Sequence, residues 1–192
     1  MQGASLSVTD LACRRGDRVL FAGLSFALDA GEALRVAGPN GTGKTSLLRI
    51  VAGLLRPMRG GLRREGAVGL VDERPALDPE LPLGRALDFW AGIDGAREAA
   101  SERLGLAELL DVPVRYLSTG QKKRAALARL LAQDAPIWLL DEPLNGLDTD
   151  GAALVEELLR QHCSGGGVAL VASHQPIAMP GDETIRIEDF RP

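Results

Sequence analysis

The chain has 192 residues, enough for one domain with a sizeable core. Its net charge of −4 and its 4% aromatic content argue against a broad phosphate-backbone surface or a base-stacking platform, so no nucleic-acid partner is expected. Cys13 and Cys163 stand far apart with no C-x-x-C pair and no metal-ligand spacing to His162 or His174, which argues against a disulfide framework or a structural zinc site and fits a reducing compartment.

Met1 to Ser5 has no basic run leading into an apolar stretch, so no signal peptide is expected. No apolar run approaches the length that crosses a bilayer, and in a membrane process another chain has to supply the passage. Leu6 to Leu11 alternates apolar and polar residues, the pattern of a half-buried strand. Arg14 to Arg18 reads as a turn, and Val19-Leu20-Phe21 resumes a strand. Leu24, Phe26 and Leu28 share a strand face, and Asp29 to Glu32 turns the chain into Leu34 to Ala37. The front end therefore predicts a small antiparallel sheet feeding a parallel core.

Gly38-Pro39-Asn40-Gly41-Thr42-Gly43-Lys44-Thr45 follows and matches G-x-x-x-x-G-K-[ST]. Gly41 and Gly43 let successive N–H groups turn inward around phosphate oxygens. The helix that opens with Lys44, Thr45 and Ser46 adds its dipole. Lys44 is the charge for the terminal phosphates, and the Thr45 hydroxyl is suited to Mg²⁺.

Beyond Pro57, Gly60-Gly61 reads as a turn, and Ala67 to Val71 as a buried strand. Residues 77–133 change character. Leu83 to Trp90, Ala96 to Leu104 and Ala107 to Leu110 carry helical spacing, and Gly120 to Ala132 reads as an amphipathic helix. The stretch predicts a helical subdomain inserted into an α/β core. Lys122-Lys123-Arg124 reads as a solvated face, as do Arg14-Arg15 and Arg63-Arg64.

Ile137 to Leu140 is a continuous apolar strand, as is Val168 to Ser173, both expected at the centre of a parallel sheet. A helix bearing Leu154, Val155, Leu158 and Leu159 lies between them, and Ile185 and Ile187 suggest a last short strand. Asp141-Glu142 ends the first of these strands. Ligands of open parallel sheets bind outside the carboxyl ends of strands, which puts both acids beside the phosphate loop. Asp141 is the expected Mg²⁺ partner, and Glu142 the group that orients or deprotonates water. His174, at the next strand end, is placed to touch the γ-phosphate or that water. His162, beside a glycine run, reads as a surface residue.

Leu117-Ser118-Thr119-Gly120-Gln121 resembles the signature loop of ATP-binding-cassette ATPases, with Thr119 in place of the more usual glycine. Asp141-Glu142-Pro143 resembles that family's acidic strand end, Asn145-Gly146-Leu147-Asp148 its inter-subunit loop, and His174 its switch histidine. The order covers almost the whole chain, so the resemblance implies one ABC-type domain over 1–192: a three-layer P-loop NTPase core with residues 77–133 as the inserted helical part. It implies ATP and Mg²⁺ as ligands and hydrolysis of ATP. It also implies a second copy stacked head to tail, whose Ser118 and Gly120, at the start of the Gln121 helix, face the phosphate held by Lys44 and Thr45, with Asp148 coupling the sites.

Within the family, the run Cys13 to Phe26, Trp138 to Pro143 and Ser173-His174-Gln175 resemble the ATP-binding subunits of haem exporters that serve bacterial cytochrome c maturation. That resemblance implies a multi-span membrane partner and peripheral attachment to the cytoplasmic face of the inner membrane. It leaves open whether this chain touches haem. Another small-substrate exporter, a soluble cassette acting on nucleic acid or ribosomes, and a non-hydrolytic ATP-gated assembly factor are the alternatives.

Two departures stand out. Glu73 occupies the place of the family's usual glutamine; ionised, it accepts but cannot donate a hydrogen bond. The adenine-stacking aromatic common near residues 13–15 is missing, and Arg14 or Arg15 is left to offer a guanidinium plane, which predicts weaker selectivity for the base than for phosphate.

Overall fold

Alternating burial builds the first layer. In the computed structural model, which describes residues 3–94 and 101–192, β1 (Ser5–Arg15) pairs antiparallel with β2 (Arg18–Leu28). Leu6, Val8 and Leu11 of β1 face Leu24 and Leu28 in the core. The turn is only Gly16-Asp17, shorter than the sequence suggests. The stretch with Gly60-Gly61 is a strand, β4 (Arg59–Glu65), added antiparallel to the other edge of β1. Two glycines weaken a strand locally, yet the free edge of β1 supplies the ladder that overrides them.

The second sheet is parallel throughout, in the order β5 (Val68–Val71), β6 (Ile137–Asp141), β7 (Val168–Ala172), β3 (Ala33–Ala37), β8 (Glu183–Arg186). Every residue of β6 and β7 is buried, as expected of strands covered on both faces. Period-two alternation divides β6 between two cores. Ile137 and Leu139 join α1 (Lys44–Val51) and the antiparallel sheet. Trp138 and Leu140 join α3 (Thr119–Gln133) and α4 (Thr149–Ser164) on the opposite face. These are the layers of a three-layer α/β fold. The C-terminal strand is shorter than read: Ile187 opens a 3-10 turn instead.

Between β5 and β6 the chain forms α2 (Leu83–Asp94) and α3. Arg129 of α3 lies over the Trp90 ring of α2, 3.5 Å from its centroid, so a cation–π contact joins the two helices. Of the helical stretch expected over 107–110, Ala107–Leu109 make a single 3-10 turn rather than an α-helix. Of the helix expected over 96–104, residues 96–100 lie outside the described residues and 101–104 form turns. No helix among the described residues is long and apolar enough to cross a membrane.

His162 departs most from its reading as a surface residue. Its ring stacks on Trp138 at 3.9 Å and 11°, with Nε2 3.2 Å from the Val168 carbonyl. Burial pushes its pKa down, and the carbonyls of Val168 and Pro136 restore part of it. The unfolded chain therefore binds a proton that the folded chain resists. Stability is complete above the ordinary histidine value of 6.5 and falls as pH drops below it. Thermal midpoints are expected to decline between pH 7.5 and 5.5, and His162→Phe, which keeps a ring on Trp138, to flatten that decline. An unaltered slope in the variant would assign the pH dependence to other groups.

Candidate functional site

The carboxyl ends of β3, β5 and β6 and the start of α1 meet at one cleft of about 450 Å³. Its walls include Asn40, Gly41, Gly43, Lys44, Thr45 and Ser46 from the phosphate loop, with Glu73, Asp141 and Glu142 opposite. Arg15 and Leu20 of the antiparallel sheet close one side, while Arg14 is not among the lining residues. Of the two arginines left open by the sequence, only Arg15 borders the cleft.

The loop is shaped for an anion. Gly43 sits at the N-cap of α1 with φ +112°, and no side chain caps the helix. Its first N–H groups are thus left to a ligand. A Cβ at Gly43 would come within 3.1–3.3 Å of Leu20 and Phe21, so β2 and the loop approach closely only through glycine. Thr42 Oγ1 donates to the Pro39 carbonyl at 2.8 Å and braces the turn. Gly38 joins the loop to β3.

Lys44 is buried. Its Nζ donates to the Gly38 carbonyl at 2.7 Å and lies 3.2 Å from Glu142 Oε1. Glu142 has a left-handed backbone, φ +47°, costing about 1 kcal/mol or more in a non-glycine residue. That turn aims its carboxylate back over the loop. Oε2 accepts from His174 Nδ1 at 2.7 Å and from the His174 N–H at 3.3 Å. An ionised carboxylate only accepts, so the ring proton sits on Nδ1. Lys44, Glu142 and His174 form one continuous polar chain from the phosphate loop to the end of β7.

Asp141, 1% exposed, has both carboxylate oxygens buried without a hydrogen-bond partner among the described residues. Burial pushes its pKa up. The Thr45 hydroxyl, near but not aligned as a full hydrogen bond, pulls it back, while Glu73 and Glu142 raise it further. An orphaned, desolvated carboxylate next to a threonine hydroxyl fits a divalent cation, which supplies both the missing charge and the missing coordination.

Ser118, Gly120, Gln121 and Asp148 lie apart from this cleft and form their own cluster. Ser118 caps α3: its Oγ accepts from the Gln121 N–H at 3.2 Å, and Gln121 Oε1 accepts from the Ser118 N–H at 2.8 Å. Gly120 packs on the Gly146 carbonyl so tightly that a Cβ would stand 2.5 Å from that oxygen. Asp148 caps α4 through the Gly151 N–H. The sequence reading missed Lys123. It is 7% exposed rather than solvated, and its Nζ donates to the Asp141 carbonyl at 3.2 Å. Burial lowers its pKa against the pull of Asp141, Glu73, Asp72 and Glu142. Its position one turn into α3, on the face of Leu127, was the available signal.

Residues 21–145 match the family described as ABC transporter. The "Cytochrome c biogenesis ATP-binding export protein CcmA" of Novosphingobium aromaticivorans is 56% identical over 192 residues, covering all of both chains. The protein of the same name from Sphingopyxis alaskensis is 51% identical over 179 residues, 91% of this chain and 92% of its own. Among solved structures, "An inward-facing conformation of a putative metal-chelate type ABC transporter" superimposes with TM-score 0.76 at 27% identity, covering 90% of this chain and 74% of the other.

Proposed function

This chain belongs to the ABC transporter family, and we propose that it works as the ATP-hydrolysing subunit of a haem exporter for cytochrome c biogenesis. It is an ATP-binding, ATP-hydrolysing subunit; the haem cargo and the pairing described next are the proposal. The observation that supports the chemistry best is the Lys44–Glu142–His174 chain beside the orphaned Asp141 carboxylate.

Phosphates enter over the uncapped start of α1, where Lys44 exchanges Glu142 for the terminal phosphate. Thr45 and Asp141 would hold Mg²⁺, and the ion would supply positive charge against the phosphate oxygens. Glu142, released from Lys44 and oriented by His174 Nδ1–H, accepts a proton from the attacking water. Glu73 stands on the opposite wall and reads the occupancy of the cleft. Ser118, Gly120 and Gln121, on a separate face, serve the ATP of a second copy stacked head to tail. Asp148 lies beside them at the junction.

The membrane partner docks at a second cleft of about 340 Å³ between the core and the helical insertion, residues 77–133. Leu54, Leu70, Leu77 and Ala126 give it an apolar floor, and Asp72, Arg74 and Arg129 a charged rim. Asp72 and Arg74 flank Glu73, so the same short segment borders both clefts. The chain then sits peripherally on the cytoplasmic face of the inner membrane.

A tagged chain recovered from solubilised membranes should bring down one multi-span protein together with ATP-stimulated phosphate release. Haem in that complex supports the cargo. A permease from another transport system in its place would reject the haem reading and leave the ATPase intact.

A further inference from the structure

The mechanism above makes no use of Lys123, although it is the only lysine besides Lys44 buried among the described residues. Its ammonium donates to the main-chain oxygen of Asp141 and faces the carboxylates of Asp141, Glu73, Asp72 and Glu142, none of them within ion-pair distance among the described residues. A buried ammonium satisfied by one carbonyl is costly, and an apolar side chain would pack here without that cost. What the lysine supplies is a link. Its helix, α3, begins at Ser118, and its contact is the last residue of β6.

Two neighbouring contacts run the same way. Gly120 lies against the Gly146 carbonyl, and Arg124 Nη2 is 3.9 Å from Asp148 Oδ2. The second is long, with its Asp148 side open to solvent, and worth little. Gly120 provides closeness without a directed bond. Lys123 is therefore the buried, directed connection between the signature end of α3 and Asp141, the last residue of β6.

We propose that Lys123 is a positioning residue that ties the Ser118–Gly120 face to the Asp141 end of β6, so that nucleotide in a chain's own cleft sets the face it presents to a second copy. This rests on the two-copy reading above. Movement of Asp141 when the cleft fills is passed through the Nζ–carbonyl bond to α3, one turn from Ser118.

The test uses the full chain and two measurements: binding of a fluorescent ATP analogue, and ATP-dependent association of two copies followed by sedimentation velocity. Lys123→Met keeps the stem and removes the donor. It should bind the analogue within three-fold of the unaltered chain, yet associate at least ten-fold more weakly. Lys123→Arg should restore association to within three-fold. Association of the Met variant within two-fold of the unaltered chain, a parallel loss of analogue binding, or no rescue by Arg would each overturn the proposal. Lys123→Gln, which keeps a donor on a shorter stem, should lie between Met and the unaltered chain. If Met and Gln both lack a cooperative thermal transition, the lysine is a core requirement and the proposal fails. An unaltered chain that binds the analogue but never associates would remove the two-copy reading, and this proposal with it.

Discussion

Glu142→Gln is expected to lower ATP turnover by about 10²–10⁴-fold, the range of a lost general base, while ATP binds at least as tightly as before. The substitution preserves volume, which matters at a site only 5% exposed. The amide oxygen still accepts from the His174 N–H and Nδ1–H, so the loop after β7 keeps its anchor. Two things are lost: the basicity that takes a proton from water, and the charge that holds Lys44 at 3.2 Å. The first loss slows hydrolysis. The second frees Lys44 for phosphate and removes a carboxylate facing the γ-phosphate, so affinity should be equal or higher. Phosphate release at saturating ATP and Mg²⁺, set beside anisotropy of a fluorescent ATP analogue, reads the two effects separately. Unchanged turnover would reject the role given to Glu142.

The phosphate loop, the strand leading into it and the apolar strands β6 and β7 were legible because each is local. A glycine spacing or an unbroken apolar run carries its meaning without knowledge of neighbours. Strand β4 was not, because Gly60-Gly61 resembles a turn and only the open edge of β1 makes it a strand. His162 and Lys123 were misread for the same reason. A histidine beside three glycines and the middle residue of a basic triplet look solvated until Trp138 and the end of β6 pack over them. The sequence placed Asp141, Glu142 and His174 near the loop by strand order alone. It could not reveal that Glu142 pairs with Lys44 by charge alone, its Oε1 lacking an aligned hydrogen bond, while both Asp141 oxygens have no partner among the described residues, since that depends on the left-handed turn at Glu142.

That division between two adjacent carboxylates makes Lys44→Met the sharpest counterpart to Glu142→Gln. Analogue binding is expected to fall about 100-fold, the effect of losing about 3 kcal/mol from a buried charged contact. The nucleotide-free chain should lose stability as well, by about 3–5 kcal/mol, because Glu142 is then a buried carboxylate without its cation. The two N–H groups of His174 keep the loss towards the lower end. The double variant Lys44→Met with Glu142→Gln separates the causes. Removing the stranded charge should return most of the thermal midpoint lost in Lys44→Met, because neither partner is then ionised. It should return none of the binding, because no ammonium is left for the terminal phosphates. Recovery of binding in the double variant would mean that the carboxylate repels nucleotide and the lysine serves only to neutralise it. Failure to recover stability would place the cost in the loop itself, at the Gly38 and Pro39 carbonyls that Nζ otherwise satisfies.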